Sequence, residues 1–219
     1  MERVKKHINY LVDCFLEIIY PREEKCYVCN KEEENIICHR CKNKIQKIEE
    51  SFFIYGCQTF ICSYYSFIVK DLILRFKYKG DFHAGEILKI LLEDKIREVN
   101  IKIDYITFVP VAKDALKKKE FNQCEYLARE LGKDLDIKVI KLLEKKNKVK
   151  EQKTLSKEER EKNIRGAFTL TFTKGLEGKS ILLLDDVITT GSTLKSCVIE
   201  IKKIKNIKIF LLTIAKSNI

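Results

Sequence analysis

One stretch constrains the fold more than any other: Ile181-Leu182-Leu183-Leu184-Asp185-Asp186-Val187-Ile188-Thr189-Thr190-Gly191-Ser192-Thr193-Leu194. Its apolar start suits a strand buried on both faces, as in a parallel sheet, and helical spacing begins at Thr193. A buried strand therefore delivers two adjacent carboxylates, then a hydroxyl-rich turn, onto the start of a helix. In open α/β sheets ligands lie beyond the carboxyl ends of the strands, where this turn falls. Unpaired N–H groups and partial positive charge at a helix N-terminus attract anions, and Gly191 lets a phosphate come close to the backbone. The hydroxyls of Thr189, Thr190, Ser192 and Thr193 add donors. Asp185 and Asp186 would repel phosphate, so their partner is a sugar diol or a metal-chelated polyphosphate. The segment reads as a cradle for a sugar 5-phosphate. Acids turned inward against a basic neighbour would contradict that reading.

The rest of the chain alternates in the way such a sheet needs. Residues 68–98 predict two helices broken at Lys79-Gly80-Asp81, with Leu72, Ile73 and Phe76 on one face and Ile87, Leu88, Leu91 and Leu92 on the next. Beyond them, 104–109 is strand-like, 122–131 helical, 137–140 a short strand and 141–153 a lysine-rich loop. Residues 157–163 predict a short helix, with Ser156 and Glu159 as a capping box. Residues 167–173 are strand-like, 193–205 helical and 207–214 a last strand. Alternation of this kind implies an α/β fold, an open parallel sheet with helices on its faces. Before it lies an aromatic, β-prone stretch over 51–67. An amphipathic helix over residues 8–19 is stopped by Pro21.

Between these pieces sits Cys26-x2-Cys29-x8-Cys38-x2-Cys41. Two closely spaced pairs supply four thiolates to one tetrahedral ion, and an all-sulfur set closes the site, making it structural rather than catalytic. Zinc is the default ion, and iron also suits four thiolates. Asn30 tolerates the positive φ that a knuckle needs after its second cysteine. The pattern places a helix and a zinc module at 1–50 and the α/β domain at 51–219. His39 reads as a surface side chain, Cys14 and Cys197 as core, and Cys124 as a small helix residue. Cys57 and Cys62 read as core thiols or remnants of a second pair, and His83 as a turn residue near the cleft.

Composition narrows the setting. At 219 residues, with 45% hydrophobic residues, the chain can bury one substantial core and a small appendage. Asp13 and Glu17 interrupt the one apolar N-terminal segment, so no signal peptide and no membrane span is expected, and the cytoplasm is the expected compartment. A net charge of +11 favours polyanions such as nucleic acid or phosphorylated metabolites. Only 8 of the 43 basic residues are arginine, which favours diffuse backbone attraction over sequence reading. Codon bias in an AT-rich genome accounts for a lysine surplus equally well.

Along its whole length, 181–194 resembles the PRPP-binding signature of type I phosphoribosyltransferases. The resemblance implies that Asp185 and Asp186 bind the ribose hydroxyls, that Thr189, Thr190, Gly191, Ser192 and Thr193 wrap the 5-phosphate, and that Mg2+ arrives with PRPP. Lys113, in Phe108-Val109-Pro110-Val111-Ala112-Lys113, is then expected to face pyrophosphate. Together with Phe76-Lys77-Tyr78-Lys79-Gly80, Phe121-Asn122-Gln123, Gln152, Leu155-Ser156, Arg160, Asn163 and Ala167-Phe168, and with the paired cysteines in front, the chain looks like the ComF family of competence-related proteins. Lys119 and Glu120 depart from the arginine and glycine usual there. Thr189 stands where purine-salvage enzymes carry an acid, which argues against purine salvage. The resemblance implies a PRPP-binding protein that assists handling of single-stranded DNA in natural transformation, with DNA and competence or helicase proteins as partners. Two other readings remain: transfer from PRPP to an N-nucleophile, with Asp185, Asp186 and Lys113 as the catalytic set, and a sensor of PRPP or nucleotide without turnover.

Overall fold

The structure, a computed structural model, describes residues 24–112, 121–146 and 166–217. It divides into two compact units, Met1–Lys44 and Ile45–Ile219. The expected helix over 8–19, the helix over 157–163, Cys14, Lys113, Lys119, Glu120, Gln152, Leu155, Ser156, Arg160 and Asn163 lie outside the described residues.

In the first unit, Lys25 and Glu32 bridge antiparallel and bring the chain back past the first cysteine pair. Asn30 takes φ 57°, as the knuckle requires. The short helix α1, His39–Asn43, starts at Cys38, whose sulfur accepts the N–H of Cys41. The buried residues described in this unit are Cys26, Ile37, Cys38 and Cys41. Its interior is almost entirely thiol.

The second unit opens on residues 45–50, where Ile48 N–H donates to Cys62 O at 3.1 Å and Lys47 bridges Ser63. Strands β1, Phe52–Ile54, and β2, Cys57–Tyr64, form a hairpin through Tyr55 and Gly56, both at positive φ. Helices α2, Phe67–Lys79, and α3, Phe82–Val99, follow. They part where expected: Gly80 closes α2 at φ 63°, and the Asp81 carboxylate caps α3 by accepting the N–H of Ala84. Val69, Leu72, Ile73 and Phe76 make the buried face of α2. Gly85 permits the tightest contact between the two helices, since a Cβ there would lie 2.7 Å from the Phe76 ring.

Strand β3, Tyr105–Phe108, and helix α4, Gln123–Asp134, come next, then β4, Leu143–Lys145, and β5, Phe168–Leu170. The last three elements are β6, Ser180–Ile188, α5, Ser192–Ile201, and β7, Lys208–Lys216. The main sheet runs β1-β2-β7-β6-β3. All its pairings are parallel except the β1–β2 hairpin at its edge. Ile181, Leu182, Leu183 and Leu184 are fully buried, which explains their continuous apolar run. Leu194, Cys197, Val198 and Ile201 of α5 share a core with Ile181, Leu183, Ile209 and Leu211 on one face. Helix α3 meets β2 and β7, and α4 meets β3 and β6. This places Asp185 and Asp186 at the carboxyl end of a central strand.

Two expectations need correction. The stretch 137–140 forms a single parallel bridge, Ile106 to Val139, rather than a strand. Within the expected loop 141–153, residues 143–145 form β4 antiparallel to β5, because Leu143 is drawn into the core opposite Leu170. Among the described residues, no helix is long and apolar enough to cross a membrane.

Candidate functional site

The ladder between β6 and β3 ends at Phe108 and Leu184, while β6 itself runs on beside β7 to Ile188, so Asp185 and Asp186 are the first residues of the strand past the β3 pairing. Asn122 ties the neighbouring segment down: its side-chain amide donates to Val109 O at 3.2 Å, and its carbonyl caps α4 at the N–H of Cys124. The cap brings Gln123 and Cys124, the first residues of α4, against the acid pair. Gln123 Nε2 donates to Asp186 Oδ2 at 3.0 Å, and Cys124 Sγ lies 3.8 Å from Asp185 Oδ1.

From α2, Lys77 Nζ reaches the same Asp186 Oδ2 at 2.8 Å. The remaining Asp186 oxygen accepts the N–H of Val187 at 2.8 Å, and Asp185 Oδ1 accepts the N–H of Asp186 at 3.0 Å. Both acids are buried, each 8% exposed. For Asp186 the inward orientation against a base is met, which is the outcome set against the sugar reading; at this acid the reading holds only if a ligand displaces Lys77, whereas Asp185 faces a thiol. The thiol of Cys124 lies beside Asp185.

The two carboxyls are driven apart in acidity. Burial, reinforced by the charge of Asp186, pushes Asp185 up to about 7. Burial acts on Asp186 too, but the Lys77 ammonium and the bonds from Lys77, Gln123 and Val187 outweigh it and hold Asp186 below the usual carboxylate range. One site thus holds a fixed anion beside a carboxyl that titrates near neutrality. Burial, and then the two carboxylates, keep the Cys124 thiol protonated. Cys124, Asp185 and Asp186 have potential ligand atoms within 4.8 Å of one another. Lys77 already supplies the positive charge that a resident cation would bring.

After β6 the chain turns out to solvent. Thr189, Thr190 and Thr193 are exposed, and Gly191 sits in the left-handed region at φ 71° as the N-cap of α5. Gly191 has no side chain with which to cap the helix. Thr190 Oγ1 and Ser192 Oγ lie 3.1 Å apart, and Thr190 Oγ1 is 3.4 Å from the N–H of Ser192. Exposed hydroxyls and the N–H groups at a helix start are groups that can hold a phosphate-sized anion. The hairpin turn flanks it: a Cβ on Gly191 would lie 3.6 Å from Tyr55 Oη, and Lys195 Nζ stands 5.5 Å from the Tyr55 ring centre.

In the first unit, the sulfurs of Cys26, Cys29, Cys38 and Cys41 lie within 4.8 Å of one another. Cys29 and Cys38 are 3.8 Å apart. A tetrahedron with metal–sulfur bonds of about 2.3 Å has edges of about 3.8 Å, so the donor set fits a tetrahedral ion. Burial opposes a thiolate at Cys26, but the backbone N–H groups of Cys38, Cys29 and Val28 overcome it and bring Cys26 down to about 6. Burial and the neighbouring sulfurs push Cys41 up to about 12. A divalent cation would relieve that conflict among four thiols.

The sequence reading placed the acids and the turn but missed the roles of Lys77, Gln123 and Cys124. Lys77 and Gln123 stood only in family motifs, and their bonds to Asp186 span 109 and 63 residues. No local pattern carries such contacts. His39 is exposed, with Nδ1 3.2 Å from Asn43 Nδ2, and stands apart from the cysteine cluster. His83 lies in the first turn of α3. Cys57 and Cys62 are both buried, and their odd separation along β2 turns them to opposite faces, so they do not form a pair.

The sequence profile of the phosphoribosyl transferase domain family matches residues 83–217. Competence protein F of Haemophilus influenzae is 33% identical over 130 residues, covering 56% of this chain and 57% of that protein. The match thus spans less than two thirds of that relative. Competence protein ComFC of Bacillus subtilis is 24% identical over 217 residues, covering 90% of this chain and 87% of that protein. Among solved structures, adenine phosphoribosyltransferase from Leishmania tarentolae superposes with a TM-score of 0.46 at 10% identity, covering 76% of this chain and 94% of that one.

Proposed function

Because the chain belongs to the phosphoribosyl transferase domain family and is similar to competence proteins of ComF type, we propose that it binds PRPP with Mg2+ at the carboxyl end of β6. The observation that carries this reading is the hydroxyl-rich N-terminus of α5, begun by Gly191 at φ 71°, with four residues between it and an acid pair on a buried strand. The 5-phosphate would sit on the N–H groups and hydroxyls of residues 189–193, and the ribose hydroxyls on Asp185 and Asp186. Mg2+ would arrive with the diphosphate as part of the ligand, and Lys113 would face the pyrophosphate. Zn2+ would be the ion of Cys26, Cys29, Cys38 and Cys41, in a structural role.

The wider role that this supports is handling of single-stranded DNA in natural transformation, in the cytoplasm and with competence or helicase proteins. Its basis is the likeness to competence proteins and the net charge of +11. Two measurements on the zinc-loaded full chain test the two levels. In a thermal-shift series, PRPP with Mg2+ at about 100 times its Kd should stabilise by about 2.7 kcal/mol, or about 5–10 °C. No shift with PRPP or ribose 5-phosphate counts against the site. Fluorescence anisotropy with a single-stranded oligonucleotide should show binding that weakens as salt rises, and absence of binding at low salt removes the DNA role.

A second reading is favoured by Asp185, whose carboxyl, held near 7 by burial, suits acceptance of a proton from an N–H nucleophile. In that reaction a nitrogen forms the bond to the anomeric carbon as the bond to Mg2+-bound pyrophosphate breaks. Pyrophosphate release over a panel of bases, ammonia and small amines decides it. Release that persists in Asp185→Ala/Asp186→Ala would exclude these residues.

A further inference from the structure

Two donors converge on one oxygen of Asp186, and they differ in kind. Gln123 is neutral and buried, 6% exposed. Lys77 is charged, and its side chain is 25% exposed against 12% for that of Asp186. Its four-carbon stem stands in the last turn of α2, where the helix dipole favours a cation. Lys77 can therefore swing away while Gln123 keeps one bond to Asp186. A carboxylate bonded by Lys77, Gln123 and the N–H of Val187 has little capacity left for a ribose hydroxyl.

We propose that Lys77 is a specificity-determining residue that exchanges partners on ligand binding, leaving Asp186 for the diphosphate of the incoming sugar while the sugar hydroxyls take its place on Asp186. The inference rests on the reading of the site as a PRPP site and adds what selects the ligand there. A sugar phosphate with hydroxyls alone must displace the ammonium without offering it a new anion. A ligand with both a diol and a diphosphate satisfies both halves of the broken pair. Lys77, 109 residues upstream in sequence of the acid it guards, then adds to whatever Lys113 contributes in discriminating PRPP from ribose 5-phosphate.

The geometry favours this over a purely structural pair. Burial works against the charge of Lys77, and chiefly Asp186 sustains it, so a ligand that takes Asp186 without replacing its charge leaves a part-buried ammonium unsatisfied. A structural role would need the pair intact in every state and would treat both ligands alike.

Calorimetry on the full zinc-loaded chain, with PRPP and ribose 5-phosphate each in Mg2+, tests this in the parent and in Lys77→Met and Lys77→Arg. The parent should prefer PRPP. Lys77→Met should lose at least about tenfold of that preference, with ribose 5-phosphate bound as well as before or more tightly, and Lys77→Arg should recover most of it. In the 15N-labelled parent, the Lys77 ammonium signal should move on adding PRPP with Mg2+ and stay in place with ribose 5-phosphate. This readout applies even if Lys77→Met folds poorly. An equal loss for both ligands in Lys77→Met, an unchanged ratio, or an ammonium signal that ignores PRPP overturns the exchange. If the parent binds neither sugar, the underlying reading fails first and the exchange falls with it.

Discussion

Asp185 and Asp186 share a strand end and differ in what faces them. With Lys77 and Gln123 on Asp186 and a thiol beside Asp185, burial and the charge of Asp186 hold the first acid near 7. An unfolded aspartate titrates near 3.9. Between about pH 4 and 7 the folded chain therefore binds a proton at Asp185 that the unfolded chain does not, and stability falls as pH rises through that window. Asp186 contributes in the opposite sense, adding stability that is lost as pH falls through its depressed folded pKa. Asp185→Asn should remove the decline above pH 4 and raise stability at pH 8 by a few kcal/mol, read from urea melts across pH. A parallel pH profile in the variant would show that Asp185 is not the titrating group. At this scale the sequence revealed the acids but not their partners. A pair of carboxylates after an apolar run is a local pattern, whereas Lys77 reaches Asp186 only through tertiary packing, with the adjacent Phe76 ring against Phe121 and Tyr126.

Among the elements, legibility followed periodicity. The paired helices α2 and α3 were readable because Leu72, Ile73 and Phe76 repeat at helical spacing and Gly80-Asp81 carries a stop and a start. Strand β4 was not, because Leu143 stands in a lysine-rich segment and is buried by pairing with β5. The turn into α5 was legible in chemistry and in conformation. Gly191 at φ 71° has room for a side chain, with Tyr55 Oη 3.6 Å from its Cβ position, so Gly191→Ala is limited by backbone strain and not by a clash. The substitution should cost about 1–2 kcal/mol and weaken PRPP and ribose 5-phosphate equally, since both present the same 5-phosphate. A loss confined to PRPP would move the 5-phosphate elsewhere.

For the whole molecule, two units of different construction share one chain. The larger has an apolar core around β6 and β7. Among described residues, the smaller buries little besides Cys26, Ile37, Cys38 and Cys41, so residues 24–44 are expected to depend for their order on an ion held by the four sulfurs. Chelation should therefore release about one metal ion per chain and unfold residues 24–44 while the larger unit keeps its thermal transition. Cys26→Ser should reproduce this without chelator, and a fully protected first unit in hydrogen exchange after metal removal would refute it. Four cysteines at this spacing were legible because a ligand set is written in residue type and interval. The partners were not, since charge informs about partners without locating them.

The central claim is that the end of β6 and the start of α5 bind one phosphorylated pentose. Isothermal calorimetry of the metal-loaded chain with PRPP and Mg2+ tests it most directly. The account predicts saturable heat at one ligand per chain, lost in Asp185→Ala/Asp186→Ala while the fold is kept. No heat with any pentose phosphate, or the same heat in the double variant, would contradict it.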